Sequence, residues 1–360
     1  MRKTGATIIV GAQWGDEGKG LISSYLAMKN KATIVARAGT GSNAEHGIFL
    51  KDEKTYLKTN QLPLGWMFDE NIQIRIGSGV AVDPTKLLTE IGKYGLSGRV
   101  KIDFRCPIIT PEHIKAEETS KGMSAIGSTM SGTGYCRADF VLRKAKQARD
   151  IPMLKDYLCD TSVAVNNACF NGENVIVESS QGTMLSLAVS RDYPNVTSDN
   201  TTSMAAADDV LLNWQYIKDV VLVVKAVPTR EGAGSMGNVA EMSDEEMKEK
   251  GLLEPSSIRQ QTRRKAYAID WDLLQTAVEI NGATQIALTF LDHYDPEMKN
   301  VKTIDKITEK AWDLIAEVAK RTQVPVTILN TGKAYDNIID LDEDFVADWN
   351  KIASSYPLTK

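Results

Sequence analysis

The sequence predicts an α/β fold, and three observations carry that prediction. A β-branched run from Ala6 to Val10 passes through the glycine-rich turn GAQWGDEGKG into LISSYLAMK, which can begin a helix. The same strand-to-helix transition recurs nearly to the C terminus. The composition, 42% hydrophobic and 25% charged over 360 residues, suits a soluble chain long enough to bury a large core.

Taken in order, ATIVARAG is a second apolar run and leads into TGSNAEHG. NIQIRIGSGVAV leads into the helical candidate DPTKLLTEIGKYG. Later strands are expected at NVIVES, DVVLVVKAV, TQIALTFLD and VPVTILN, with helices at AYAIDWDLLQTAVEI and ITEKAWDLIAEVAKR. REGAGSMGNVAEMSDEEMKEKG reads as a glycine-rich loop entering a charged helix or lid. There is no long linker, internal repeat, coiled coil or low-complexity tail.

The charge balance, 47 Asp plus Glu against 42 Lys plus Arg for a net charge of −5, argues against a broad nucleic-acid surface. A local phosphate pocket remains compatible with it. Cys106, Cys136, Cys159 and Cys169 have no CxxC spacing and no secreted-scaffold density, so a reducing compartment is expected. The apolar run in MRKTGATIIVGAQWG is too short for a signal-peptide core or a membrane span, so a cytoplasmic, soluble protein without a membrane partner is expected.

GAQWGDEGKG sets Gly11, Gly15, Gly18 and Gly20 around Asp16, Glu17 and Lys19. Glycines admit close backbone approach, a lysine attracts phosphate oxygens, and an aspartate binds magnesium or accepts a proton. The spacing is not GxxxxGK[ST], and Leu21 follows Gly20. By themselves these residues fit either a phosphate or metal site or a tight turn with solvated charges.

GAQWGDEGKG resembles the N-terminal signature of adenylosuccinate synthetases. The resemblance continues in the family's order through SNAEHG, AIGSTMSGTG, SSQGTM, YPNVTSDNTT, VPTREGAG and QTRRKAYAIDW. It implies a P-loop-related fold with a mostly parallel central sheet and additional helices. It further implies one catalytic domain over residues 1–360, with 230–265 as a substrate-loop region, and a homodimer. Family enzymes phosphorylate the 6-oxo group of a purine monophosphate and then displace phosphate with the amine of L-aspartate. On that pattern Asp16 and His46 are catalytic, and Asp16 and Glu45 lie near Mg2+. Gly15, Glu17, Gly18, Lys19, Gly20, Phe290 and Asp292 would hold the nucleoside triphosphate. Asn43, Ser128, Thr129, Arg143, Gln181 and Thr197 would hold the monophosphate, with Arg143 contributed across the dimer. Arg230, Gln261, Thr262, Arg263 and Arg264 would hold aspartate.

Four positions depart from the family pattern. Glu45 replaces a glycine, Gln261 an arginine, Phe290 the lysine of TKLD, and ILNTGKAYDN differs from the usual STGP-like loop. The changes at Phe290 and in the C-terminal loop resemble the phage-associated branch that makes N6-succino-2-amino-2′-deoxyadenylate. The expectation is therefore ligation of L-aspartate to dGMP with ATP or dATP, in the cytoplasm of a phage-infected host. Asp16 is a counterweight, because several members of that branch carry a smaller polar residue there. The alternatives are an adenylosuccinate synthetase using IMP and GTP, and an inactive nucleotide-binding regulatory homologue.

Overall fold

The computed structural model describes residues 4–256 and 262–341. In chain order the strands are β1 (Ala6–Gly11), β2 (Ile34–Arg37), β3 (His46–Phe49), β4 (Tyr56–Thr59), β5 (Gln73–Ile76), β6 (Val100–Asp103) and β7 (Leu158–Cys159). They are followed by β8 (Val175–Glu178), β9 (Ile217–Lys225), β10 (Thr229–Arg230), β11 (Arg264–Lys265), β12 (Gln285–Thr289), β13 (Val326–Asn330) and β14 (Ile338–Asp340). Ten of them form one sheet in the order β14-β13-β12-β9-β1-β8-β2-β5-β6-β7. Every neighbouring pair in it is parallel except β13 with β14. The antiparallel pairs β3-β4 and β10-β11 stand outside this sheet.

This is the predicted α/β fold, and side-chain alternation explains how it closes. Every residue of β1 and β8 is buried, as expected when helices cover both faces of a parallel sheet. Ile8, Val10, Val177 and Leu222 pack on one face with Leu274 and Val278 of the helix Trp271–Asn281 and Ile315 and Val318 of the helix Glu309–Thr322. Ile9, Ile176, Val221 and Val223 point to the other, against Ile22 and Leu26 of the helix Lys19–Lys29 and Leu87 and Ile91 of the helix Pro84–Tyr94. The last helix is sharply bounded. Asp83 accepts from the amides of Thr85 at 3.0 Å and Lys86 at 3.1 Å, and Gly95 closes it at φ 66°.

Among the boundaries that differ from the sequence reading, two shape the site. The TQIALTFLD strand stops at Thr289, because Phe290 adopts φ 56° and starts the short helix Leu291–Tyr294. The helix expected from Ala266 starts only at Trp271, where the Asp270 side chain accepts from Leu273 N at 3.0 Å. The residues before it turn into β11 and pair with β10. No helix among the described residues is long and apolar enough to cross a membrane. With the central strands parallel, the segments after β1, β2, β8, β9 and β12 leave the sheet at one edge, where ligands of open α/β sheets bind.

Candidate functional site

The segment between β1 and the helix Lys19–Lys29 is shaped by a buried carboxylate. Glu17 accepts from Gln13 N at 3.0 Å and Gly15 N at 2.9 Å, and pairs with Lys19 Nζ at 2.6 Å. Thr289 Oγ1 donates to the Glu17 carbonyl at 2.7 Å, fastening the loop to the end of β12. A side chain at Gly11 would overlap the Glu17 carboxylate, so a glycine is required there. Gly15, Asp16 and Gly18 all take positive φ, and Gly18 brings no side chain to cap the helix that follows. The result is a strand, a curled loop and a helix N-terminus suited to an anion.

Asp16 stands at the rim, 2.7 Å from Arg263 Nε. The same guanidinium reaches Glu231 at 2.9 Å and Glu254 at 3.4 Å, so one arginine gathers three carboxylates. Lys265, wholly buried, also pairs with Glu254 at 3.0 Å. Burial would raise the Glu254 carboxyl, but Lys225 and Lys265 hold it down at about 2.

His46 begins β3 and is buried between Arg37 and Glu178. Arg37 Nη1 lies 2.7 Å from both ring nitrogens, and Nδ1 contacts the Glu178 carboxylate. Glu178 also accepts from the Ser23 hydroxyl and from Leu64 N at 3.0 Å. Burial first, then Arg37, push the imidazole down to about 4 against the pull of Glu178, leaving it neutral at pH 7. The sequence reading missed Arg37 and Glu178. Their signal was available, since each is a charge ending an apolar strand run, IVAR and VIVE.

Thr40 Oγ1 is 2.9 Å from both Asn43 Oδ1 and Gln181 Oε1, which brings these two candidates together across loops 141 residues apart in sequence. Ser128 donates to Glu117, Thr129 Oγ1 is 3.2 Å from Ser131 Oγ, and the Thr197 amide donates to Leu185 O at 2.9 Å. Arg143 is exposed just beyond the helix Thr133–Val141, at φ 61°.

The remaining arginines have other partners. Arg230 is buried, donates to the carbonyls of Ala233 at 2.9 Å, Ser235 at 2.5 Å and Asn195 at 2.7 Å, and pairs with Asp192 at 2.9 Å. It fastens one loop to another. Arg264 pairs with Glu241 and donates to Gly232 O at 3.1 Å and Gly234 O at 2.8 Å. Thr262 Oγ1 donates to Asp244 at 3.0 Å. Gln261 lies outside the described residues. Glu45 is exposed and turned to Lys58 Nζ at 2.9 Å. Among the described residues no three His, Cys, Asp or Glu side chains group to hold a metal.

At the end of β12, the Phe290 ring lies edge-on to His293, centroids 5.1 Å apart, and Lys225 Nζ sits 4.1 Å from its centre. Asp292 Oδ1 and His293 Nδ1 are buried without a hydrogen-bond partner among the described residues, and burial raises the Asp292 carboxyl. Lys225, the last residue of β9, was not picked out from sequence. A cavity of about 600 Å³ opens elsewhere, lined by Ser78, Gly79, Arg105, Arg137, Asp199 and Asp209 among others. None of the site candidates lines it.

A family model described as adenylosuccinate synthetase matches residues 8–153 and 146–297. An adenylosuccinate synthetase of Thermococcus sibiricus is 41% identical over 341 residues, covering 94% of this chain and 98% of its own. That of Methanocaldococcus jannaschii is 42% identical over 339 residues, covering 93% and 96%. Among solved structures, the fully ligated adenylosuccinate synthetase of Plasmodium falciparum aligns with TM-score 0.81 at 23% identity, covering 93% of this chain and 99% of that one. The succinoaminodeoxyadenylate synthetase of cyanophage S-2L, bound to dGMP and dATP, aligns with TM-score 0.79 at 22% identity, covering 99% and 100%. At such identities these two structures establish the fold alone.

The relatives near 40% identity correct the expectation of dGMP as acceptor with ATP or dATP as donor, since they are adenylosuccinate synthetases. The physical reason lies at Phe290, whose ring packs on Lys225 and His293 inside the chain. Its departure from lysine is accommodated by these contacts within the chain.

Proposed function

The chain belongs to the adenylosuccinate synthetase family of carbon–nitrogen ligases, and from that membership we propose that it joins L-aspartate to IMP with hydrolysis of GTP. The observation that carries this reading is the identity of about 40%, sustained over more than nine-tenths of the chain, to adenylosuccinate synthetases.

The chemistry has two steps. Asp16 takes the proton from purine N1, O6 attacks the γ-phosphorus, and the bond from that phosphorus to the β–γ bridging oxygen breaks to release GDP. The aspartate amine then attacks C6, the C6–O6 bond breaks, and O6 departs with inorganic phosphate. The curled loop with Gly15, Gly18 and Gly20 cradles the triphosphate. His46, held by Glu178 and Arg37, faces the reacting oxygen. Asn43 and Gln181, joined through Thr40, contact the monophosphate together with Ser128, Thr129 and Thr197. Arg263 and Arg264 receive the carboxylates of aspartate. Asp292 supplies an acceptor to the donor base.

Mg2+ suits this donor set, because it is commonly bound by one or two carboxylates plus substrate phosphates. Asp16 is the carboxylate that would hold it, and the ion would neutralise charge on the transferring phosphoryl group. The test is mass-resolved product formation from purified protein, L-aspartate and magnesium, with IMP or dGMP crossed against GTP or ATP. Adenylosuccinate with GDP and phosphate from IMP and GTP is expected. A product from dGMP alone, or phosphate release needing neither IMP nor aspartate, would overturn the reading.

A further inference from the structure

The loop lysine of the signature does not arrive at the site as a free charge. Lys19 Nζ is 2.6 Å from the buried Glu17 carboxylate, so the pair is neutral where a triphosphate would dock. Four further cations around it are similarly matched: Lys265 with Glu254, Arg263 with Asp16, Glu231 and Glu254, Arg264 with Glu241, and Arg230 with Asp192. Lys225 differs from all five. It is 1% exposed, and its ammonium donates to Thr229 Oγ1 at 3.0 Å and faces the Phe290 ring at 4.1 Å. No carboxylate among the described residues lies within ion-pair distance of it.

A buried charge without a counter-ion costs stability, so its retention needs a reason. Its position offers one. Lys225 ends the strand beside β1, and its backbone exchanges hydrogen bonds with Gln13 of the phosphate loop, N to Oε1 at 2.9 Å and O from Nε2 at 3.1 Å. The covering ring of Phe290 in turn packs against Gly18, where a Cβ would meet Phe290 Cε2 at 3.5 Å. The lysine, the ring and the loop therefore form one stack. Asp16 lies near enough for its charge to act on Lys225, and Lys225 acts in turn on Asp292 and His293. The ammonium is thus located between the rim that carries the γ-phosphate chemistry and the segment that meets the donor base.

We infer that Lys225 is a second cation for phosphoryl transfer, stabilising the negative charge of the triphosphate as the γ-phosphoryl group moves to the purine O6, with the Phe290 ring beside it. The inference rests on the reading of the chain as a GTP-dependent ligase. Aromatic faces hold a desolvated cation without neutralising it, which leaves the charge of the ammonium available to an anion. Electrostatic donors of this kind act on the transferring group, and losing one costs about 10²- to 10³-fold in the chemical step.

The experiment isolates that step. GTP carrying 18O in the β–γ bridge is incubated with IMP and magnesium without aspartate, and migration of label into non-bridging β positions is followed. Migration records reversible cleavage of the γ-phosphoryl bond and needs no second substrate. Wild-type protein is expected to scramble the label only when IMP is present. Lys225→Met is expected to scramble about 10²-fold more slowly with IMP affinity unchanged, and Lys225→Arg to recover part of the rate. Lys225→Gln, which keeps a donor for Thr229, is the second variant should the methionine protein not fold, and it too must fall. A folded Met or Gln variant that scrambles at the wild-type rate overturns the role of Lys225. Wild-type protein that never scrambles overturns the ligase reading beneath it.

Discussion

Asp209 is a carboxyl whose cost to the molecule varies with pH. Buried beside Gly39, it accepts that residue's amide at 2.7 Å, and burial first, then the charge of Asp199, push it up to about 7. In the unfolded chain the group ionises near its ordinary value of 3.8. Between these values the native state binds the proton and the unfolded state does not, so native stability from this group is intact below about pH 4 and lost as pH rises through 7. The integrated effect is on the order of 4 kcal/mol. Asp209→Asn keeps an acceptor for Gly39 and cannot ionise. It is expected to raise the midpoint of urea unfolding at pH 8, leave it nearly unchanged at pH 4, and flatten the profile between. Equal midpoints for the two proteins at pH 8 would show that Asp209 is not strained by its charge.

At the scale of elements, the turn between β1 and the helix Lys19–Lys29 can be tested through its glycines. Gly11→Ala sets a methyl group into the Glu17 carboxylate, which anchors the amides of Gln13 and Gly15. Overpacking of this kind costs about 1–3 kcal/mol, and triphosphate binding is expected to fall with it. Gly92→Ala is the opposite case, since a Cβ there meets nothing within 4 Å in the interior of the helix Pro84–Tyr94, and it is expected to stabilise by about 0.5–1 kcal/mol. Paired thermal melts distinguish the two, and a Gly11→Ala protein as stable as wild type would remove the steric argument.

The same elements mark what was legible in the sequence. The signature loop, the strands β1, β2, β5, β8, β9, β12 and β13 and the charged helix after the glycine-rich segment follow from local pattern, whereas the short strands β6, β7 and β14 do not. The β3-β4 hairpin was not, because the charged turn KDEKT separates two short strands that pair away from the main sheet. The Arg37–His46–Glu178 row was not, because each member comes from a different segment and only burial reveals the need for partners. Phe290 misled for a related reason, as its role is fixed by Lys225, 65 residues earlier and on the neighbouring strand.

For the whole molecule, the informative link is Arg263. Through it the loop after β1, the segment after β10 and the segment carrying Glu254 converge on one guanidinium, 2.7 Å from Asp16, 2.9 Å from Glu231 and 3.4 Å from Glu254. Lys265 also pairs with Glu254 at 3.0 Å, so two cations answer three carboxylates here. On the proposed reading, a dicarboxylate substrate reaching Arg263 competes with these protein carboxylates for its donors. Arg263→Gln removes the fork and frees Asp16 permanently. The expected outcome is an aspartate KM raised at least about tenfold, as for loss of a charge-assisted contact of about 1.5–3 kcal/mol. Label migration in GTP with IMP and without aspartate should persist, because Asp16, the base of that step, is retained. An unchanged aspartate KM would exclude Arg263 as the carboxylate receptor. Migration abolished in a folded variant would mean that Arg263 serves the phosphoryl group itself.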